Sequence, residues 1–293
     1  MINYSLNKQK KNNWKNYLFS LIVMLLSLCI GSLVYLMLNL FLGKDSSYLN
    51  EKSMEFVGLD PIMDLLFSHA IYIVWFIGIW ISIRFIQKRK LKSLITSNEY
   101  IDWKKILWGF SLYFSLYIFS QLIIFISYPE YFTLNKINIT DFLKLFVIGL
   151  IFVPIQTTVE ELFFRGFLLQ WISKKISHPI SLSIMVSLIF GIVHFENPEM
   201  GRSAIWMGST YLTASFILTI ITVKLGTLEL SIGAHAANNM FITWFISDAN
   251  SVDGKLPAIF NIAYISPLIS FILTSIVWIT FYVLSIKKFK TIK

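Results

Sequence analysis

Eight apolar runs, each about as long as a bilayer core requires, occupy most of this chain and decide what it can fold into. They fall at 17–42, 63–86, 106–127, 142–171, 179–195, 203–225, 228–246 and 264–286. Inside lipid every backbone N–H and C=O must be satisfied within its own segment, which at these lengths means helices. The expected fold is therefore all-α, a polytopic membrane helical bundle with about eight transmembrane helices. With 56% hydrophobic and 14% charged residues, and 26 Phe, the chain carries more apolar surface than a water-facing core could hide. The connecting loops are short and no internal repeat is visible, so a single integral membrane domain over 1–293 is expected, without a soluble appendage. The first run is too long for a signal-peptide core and lacks a small-residue cleavage site, so it reads as an uncleaved anchor. Cys29, alone of its kind, cannot form an internal disulfide and reads as a small apolar residue.

The net charge of +9 raises the question of nucleic acid, and the placement of the cations answers it. With the N-terminus in the cytoplasm, 18 of the 25 cations lie on the inner side. They include Lys8, Lys10, Lys11 and Lys15, the set from Arg84 to Lys105, and Lys287, Lys288, Lys290 and Lys293. Five lie outside (Lys44, Lys52, Lys136, Arg202, Lys255), and Lys144 and Arg165 fall within the fourth run. This is the positive-inside pattern, with both termini cytoplasmic in a multi-pass protein of the cell membrane. The charge is topological, and no cation cluster has a stacking platform around it, so no nucleic-acid partner is expected.

Ionisable groups at bilayer depth cost several kcal/mol each, so those inside the runs need a reason to be there. The fourth run carries Glu160-Glu161-Leu162-Phe163-Phe164-Arg165. At about 100° per residue the two carboxylates point in different directions, and Glu161 with Arg165 forms an i,i+4 pair on one face. Glu160 has no such local partner and is the candidate to polarise water or bind a cation. The fifth run ends in Phe190-Gly191-Ile192-Val193-His194, and the seventh holds His235-Ala236-Ala237-Asn238-Asn239, with His235 and Asn239 one helical turn apart. Asn238-Asn239 also suits a helix–helix hydrogen bond, and His69, in the second run, suits the same bland role. Small Gly191, Gly233, Ala236 and Ala237 are expected to let helices four, five and seven approach each other. An acid, two imidazoles and an amide on three helices together meet the needs of hydrolysis.

Taken in order, Glu160-Glu161-x-x-x-Arg165, Phe190-x-x-x-His194 and His235-x-x-x-Asn239 resemble the motifs of the CAAX-protease and bacteriocin-processing family, also called Abi, which are intramembrane proteases. The resemblance covers roughly 142–246, helices four to seven, and implies a protease core there within an eight-helix fold. It implies endopeptidase activity on a membrane-associated peptide or protein substrate, with the lipid bilayer as surroundings. It also implies roles. Glu160 is the general base for a water, His194 orients that water or holds a metal, His235 and Asn239 stabilise the oxyanion, and Glu161 with Arg165 fixes the helix. Zn2+ is a further cofactor expectation, because Glu160, His194 and His235 form a three-ligand set with an open position.

Other protease classes lack their signatures: there is no His-Glu-x-x-His, no Gly-x-Gly-Asp and no Gly-x-Ser-x-Gly. Two readings from other classes remain. One is a proton- or cation-coupled transporter using Glu160, His194 and His235 as a relay, although no inverted repeat supports it. The other is a non-catalytic bacteriocin-immunity membrane protein.

Overall fold

The computed structural model describes residues 13–42, 48–50, 55–248, 251–252, 254, 256–263 and 265–289. Of the cations used to orient the chain, Lys8, Lys10, Lys11, Lys44, Lys52, Lys255, Lys290 and Lys293 lie outside these residues. Eight helices among the described residues form an all-α bundle: α1 Trp14–Leu42, α2 Pro61–Ile86, α3 Trp103–Ser127, α4 Ile139–Ile172, α5 Pro179–Ile192, α6 Ala204–Leu225, α7 Glu229–Phe245 and α8 Pro267–Phe289. Two small sheets knit the loops. Strands β1 (Tyr48–Asn50) and β2 (Glu55–Val57) pair antiparallel, and β3 (Phe132–Leu134), β4 (Ile246–Ser247) and β5 (Phe260–Ile262) pair in the order β3-β5-β4.

The helix starts are written in short polar side chains. Asp60 accepts hydrogen bonds from the amides of Ile62 and Met63, with Pro61 pre-set as the first helical residue of α2. Asn138 caps α4 through the Thr140 amide, and Ser203 caps α6 through Trp206. Gly226, at φ 71°, ends α6 in the left-handed region and turns the chain directly into α7.

Six helices, of 22 to 34 residues, are long and apolar enough to cross a membrane. The other two apolar runs yield shorter helices. At 1.5 Å per residue α5, with 14 residues, is about 21 Å long and α7, with 17, about 26 Å, against a hydrocarbon core of about 30 Å. The reason is local. The fifth run spends its last residues, Val193 to Phe195, in turns, and the seventh ends in β4. Helix α7 is also the most enclosed: every residue from Glu229 to Ala237 is buried, packed against α3, α4 and α6 rather than lipid.

The two largest apolar clusters among the described residues hold most of the bundle. One joins α1, α2, α4 and α5 through Tyr17, Met24, Trp75, Phe163, Phe167 and Phe190. The other joins α3, α6, α7 and α8 through Tyr113, Leu218, Leu230, Phe241, Trp278 and Phe281. The charged residues of α4 meet His235 of α7 along the seam between them.

Glycines set two of the closest approaches, though not between the helices expected from the sequence. A Cβ at Gly233 would stand 2.0 Å from the Ile106 carbonyl oxygen and 2.7 Å from the Phe110 nitrogen, so this glycine serves the α3–α7 contact. Gly109 returns the arrangement, its Cβ position 2.7 Å from the Leu230 oxygen. Gly191 faces Leu212 of α6 at 2.7 Å. Both overlaps at Gly233 are with backbone, which cannot swing aside, so Gly233→Ala should push α3 and α7 apart. An overpacking cost of about 1–3 kcal/mol is expected, seen as a lowered unfolding temperature. Gly201→Ala, where the added Cβ meets nothing within 4 Å, is the matched control and should unfold with wild type.

Candidate active site

Helix α4 delivers three of the sequence-predicted residues where its winding changes. Its regular α segment runs Ile139–Glu161, and Leu162–Leu168 continues as a π-helix. Such wide turns recur at functional sites because they shift side chains out of the regular register. Glu160 and Glu161 are the last two residues before the change, and Arg165 lies within the π turns. The i,i+4 pair expected from the sequence nevertheless forms: Arg165 Nη1 donates to Glu161 Oε1 at 2.8 Å, with both side chains fully buried.

The guanidinium is held from three sides. Arg165 Nη2 donates to Ser215 Oγ at 2.7 Å and Nε to Thr219 Oγ1 at 3.3 Å, both on α6. The Phe190 ring lies 4.6 Å from its centre. Nothing in the local sequence of α4 points to Ser215 or Thr219, which reach the site only because α6 packs there. Burying an ion pair is costly, and these hydrogen bonds offset part of the desolvation.

Glu161 does more than pair with Arg165. The same Oε1 lies 2.8 Å from His235 Nδ1, so one carboxylate oxygen serves both Arg165 and His235. A carboxylate facing a guanidinium can only accept, so His235 Nδ1 carries the proton and donates it. That fixes the ring, and its other nitrogen, Nε2, faces Glu160 Oε2 at 3.7 Å. Glu160 also accepts from Gln156 Nε2 at 3.3 Å, and Gln156 donates to Tyr72 Oη of α2 at 3.2 Å. Gln156 is one turn before Glu160 on the same face, a spacing that made it findable in the sequence; Tyr72 carried no such signal.

His194 lies not in a helix, as the run suggested, but in the turn beyond α5. Its Nδ1–H donates to the Phe190 carbonyl at 2.7 Å, which leaves Nε2 as the available nitrogen. The ring stacks on Phe190 at 4.3 Å and on Tyr211 of α6 at 4.6 Å. Phe190 in turn lies 6.3 Å from the His235 ring and 5.0 Å from Phe164 of α4, so the short α5 ends level with the acidic pair rather than crossing past it. Asn239, half-buried one turn after His235, accepts from Asn238 Nδ2 at 3.0 Å. Of the remaining histidines, His178 caps α5 and His69 donates to its own helix at the Leu65 carbonyl, 2.6 Å away.

The site thus brings Glu160, Glu161, Arg165 and His235 into direct contact, with His194 joined through Phe190. The 3.7 Å between Glu160 Oε2 and His235 Nε2 suits two ligands of one tetrahedral ion. No three of His, Cys, Asp and Glu among the described residues close into a metal-holding group, however, so His194 does not complete the expected zinc set in this arrangement.

Residues 140–241, which contain all six predicted site residues, match the family described as Type II CAAX prenyl endopeptidase Rce1-like. The chain is 42% identical over 255 residues to the Uncharacterized protein YyaK of Bacillus subtilis (strain 168), covering 87% of this chain and 85% of that one. No solved structure matches it.

Proposed function

The chain belongs to the Rce1-like family of type II CAAX prenyl endopeptidases, membrane proteases, and from that premise we propose that it hydrolyses a peptide bond of a membrane-associated peptide or protein with water activated by Glu160. The observation that carries this reading is the contact between Glu160 and a histidine whose other nitrogen is already committed to Glu161.

In this reading the Glu160 carboxylate takes a proton from a water as its oxygen attacks the scissile carbonyl carbon. His194 Nε2 orients that water. His235, carrying a second proton on Nε2 while its Nδ1–H stays on Glu161, and the Asn239 amide N–H stabilise the oxyanion of the tetrahedral intermediate. Glu160 then returns its proton to the leaving amine nitrogen as the C–N bond breaks. Glu161, anchored by Arg165, holds the His235 ring at the angle this requires, as the buried aspartate does in a serine-protease triad. No step calls on a metal. Were zinc to bind, Glu160 and His235 are the residues placed to hold it, and it would polarise the water and the carbonyl.

The test is cleavage by the purified protein in lipid discs, using matched fluorogenic peptides with and without a farnesyl group. Turnover of either peptide is the expected result; no cleavage of any membrane-delivered peptide, together with proton flux in liposomes, would favour the transporter reading. Activity that survives a chelator assigns the water to Glu160 without metal, and activity lost to the chelator and restored by zinc adds one.

We also place both termini and the loop from Lys88 to Lys105 in the cytoplasm, on the 18-to-5 division of cations. A phosphatase fused after Lys293 should be inactive and a fluorescent protein there bright. An active phosphatase at that position would reverse the orientation.

A further inference from the structure

Asn239 can help an oxyanion only if its amide presents nitrogen rather than oxygen, and nothing on α7 alone decides which. The contacts beyond it do. The Tyr113 hydroxyl of α3, in a wholly buried side chain, donates to Asn238 Oδ1 at 2.9 Å, and Asn238 Nδ2 donates to Asn239 Oδ1 at 3.0 Å. Asn239 Nδ2 has no partner among the described residues.

The direction of this chain follows from where it starts. Tyr113 is sheathed by aromatic rings, with Trp278 4.1 Å, Phe281 5.8 Å and Tyr117 5.9 Å away, centre to centre. Asn238 is the one hydrogen-bond partner of its hydroxyl among the described residues. A buried O–H whose hydrogen meets no acceptor loses the whole desolvation of that group, so the hydroxyl must donate. Asn238 then receives on Oδ1 and has only Nδ2 to offer its neighbour. Asn239 must receive on Oδ1 in turn, and its own N–H groups are left unengaged.

We propose that Tyr113 and Asn238 are positioning residues, a hydrogen-bond relay that sets the amide of Asn239 so that its nitrogen faces the reacting carbonyl. The relay rests on the hydrolase reading above. It brings α3, outside the 140–241 match, into the chemistry, and it explains why an apolar aromatic sleeve encloses one hydroxyl aimed at α7.

The test is a double-mutant cycle on peptide turnover by the purified protein, comparing Tyr113→Phe, Asn239→Ala and the pair. Tyr113→Phe removes one oxygen and should fold as wild type, with an unchanged unfolding temperature. Its kcat should fall about tenfold with KM within about twofold, a fraction of the 10²–10³ that loss of an oxyanion donor costs. In the Asn239→Ala background the same change should do nothing further, because there is no amide left to orient. Asn238→Asp is the second probe. It still accepts from Tyr113 but cannot donate, so Asn239 turns its nitrogen inward and kcat should drop as far as in Asn239→Ala. Equal losses from Tyr113→Phe in both backgrounds, or a change in stability without one in kcat, would overturn the relay while leaving the hydrolase intact. A wild-type protein that cleaves nothing would overturn the hydrolase reading and the relay with it.

Discussion

Glu160→Gln is expected to lower kcat by about a thousandfold while leaving protein level and unfolding temperature unchanged. The magnitude is that of a lost general base, about 10²–10⁴. The sparing of the fold follows from the contacts. Glu160 is bound by Gln156 at 3.3 Å and faces His235 at 3.7 Å, and unlike Glu161 it neutralises no guanidinium. Glutamine keeps the volume and one carbonyl oxygen for Gln156, so little packing is lost, but its amide has no basicity with which to take a proton from water. The decisive measurement is turnover per molecule in membranes where the variant and wild type are equally abundant. Full activity with glutamine at 160 would remove Glu160 from the role of base and return the choice to His194 or His235.

Arg165→Met should have the largest effect on the fold. It leaves the fully buried Glu161 with only His235 to answer its charge, and removing one partner of a buried pair costs about 3–5 kcal/mol. For a chain of this size that corresponds to a fall of roughly 10 °C in unfolding temperature, with loss of protein from the membrane. Glu161→Gln should be milder in stability but not silent in catalysis. The i,i+4 spacing gives Glu161 a purely structural task, whereas the structure has the same oxygen holding His235 Nδ1. The variant should therefore lose turnover through a misoriented ring even where protein level is preserved. The pair Glu161→Gln with Arg165→Met separates the two tasks, because removing both charges should recover much of the stability and none of the activity. If the double variant regained turnover along with its fold, Glu161 would have no part in positioning His235.

How much of this was legible beforehand differs by residue. Glu161 with Arg165 could be paired from spacing alone, because four residues along a helix is a contact wherever the helix lies. The pair survives even though the winding widens to a π-helix between them. His235 and Asn239 could be put on one face by the same rule. Gln156 was within reach too, one turn before Glu160. By contrast Tyr72, Tyr113, Tyr211, Ser215 and Thr219 were invisible: each comes from a helix packed against the motif-bearing ones, and pairing between helices leaves no periodic trace in either.

The bilayer is why the sequence alone determined so much of the architecture. A solvent that satisfies no backbone group forces long apolar runs into helices, and hydropathy and intramembrane charge therefore disclose an all-α membrane bundle and the ionisable residues that it must accommodate. Tertiary structure decided which runs become full spans. Residue counting treats 179–195 and 228–246 like their neighbours, but the chain breaks the first at His194 and shields the second inside α3, α4 and α6. It also decided which helices meet, since glycine marks a close approach without naming the partner: Gly233 opens α7 to α3, and Gly191 opens α5 to α6. And it decided which atom of each ring or amide is already engaged, because that depends on hydrogen bonds from distant segments: Glu161 on His235 Nδ1, and Tyr113 through Asn238 on Asn239.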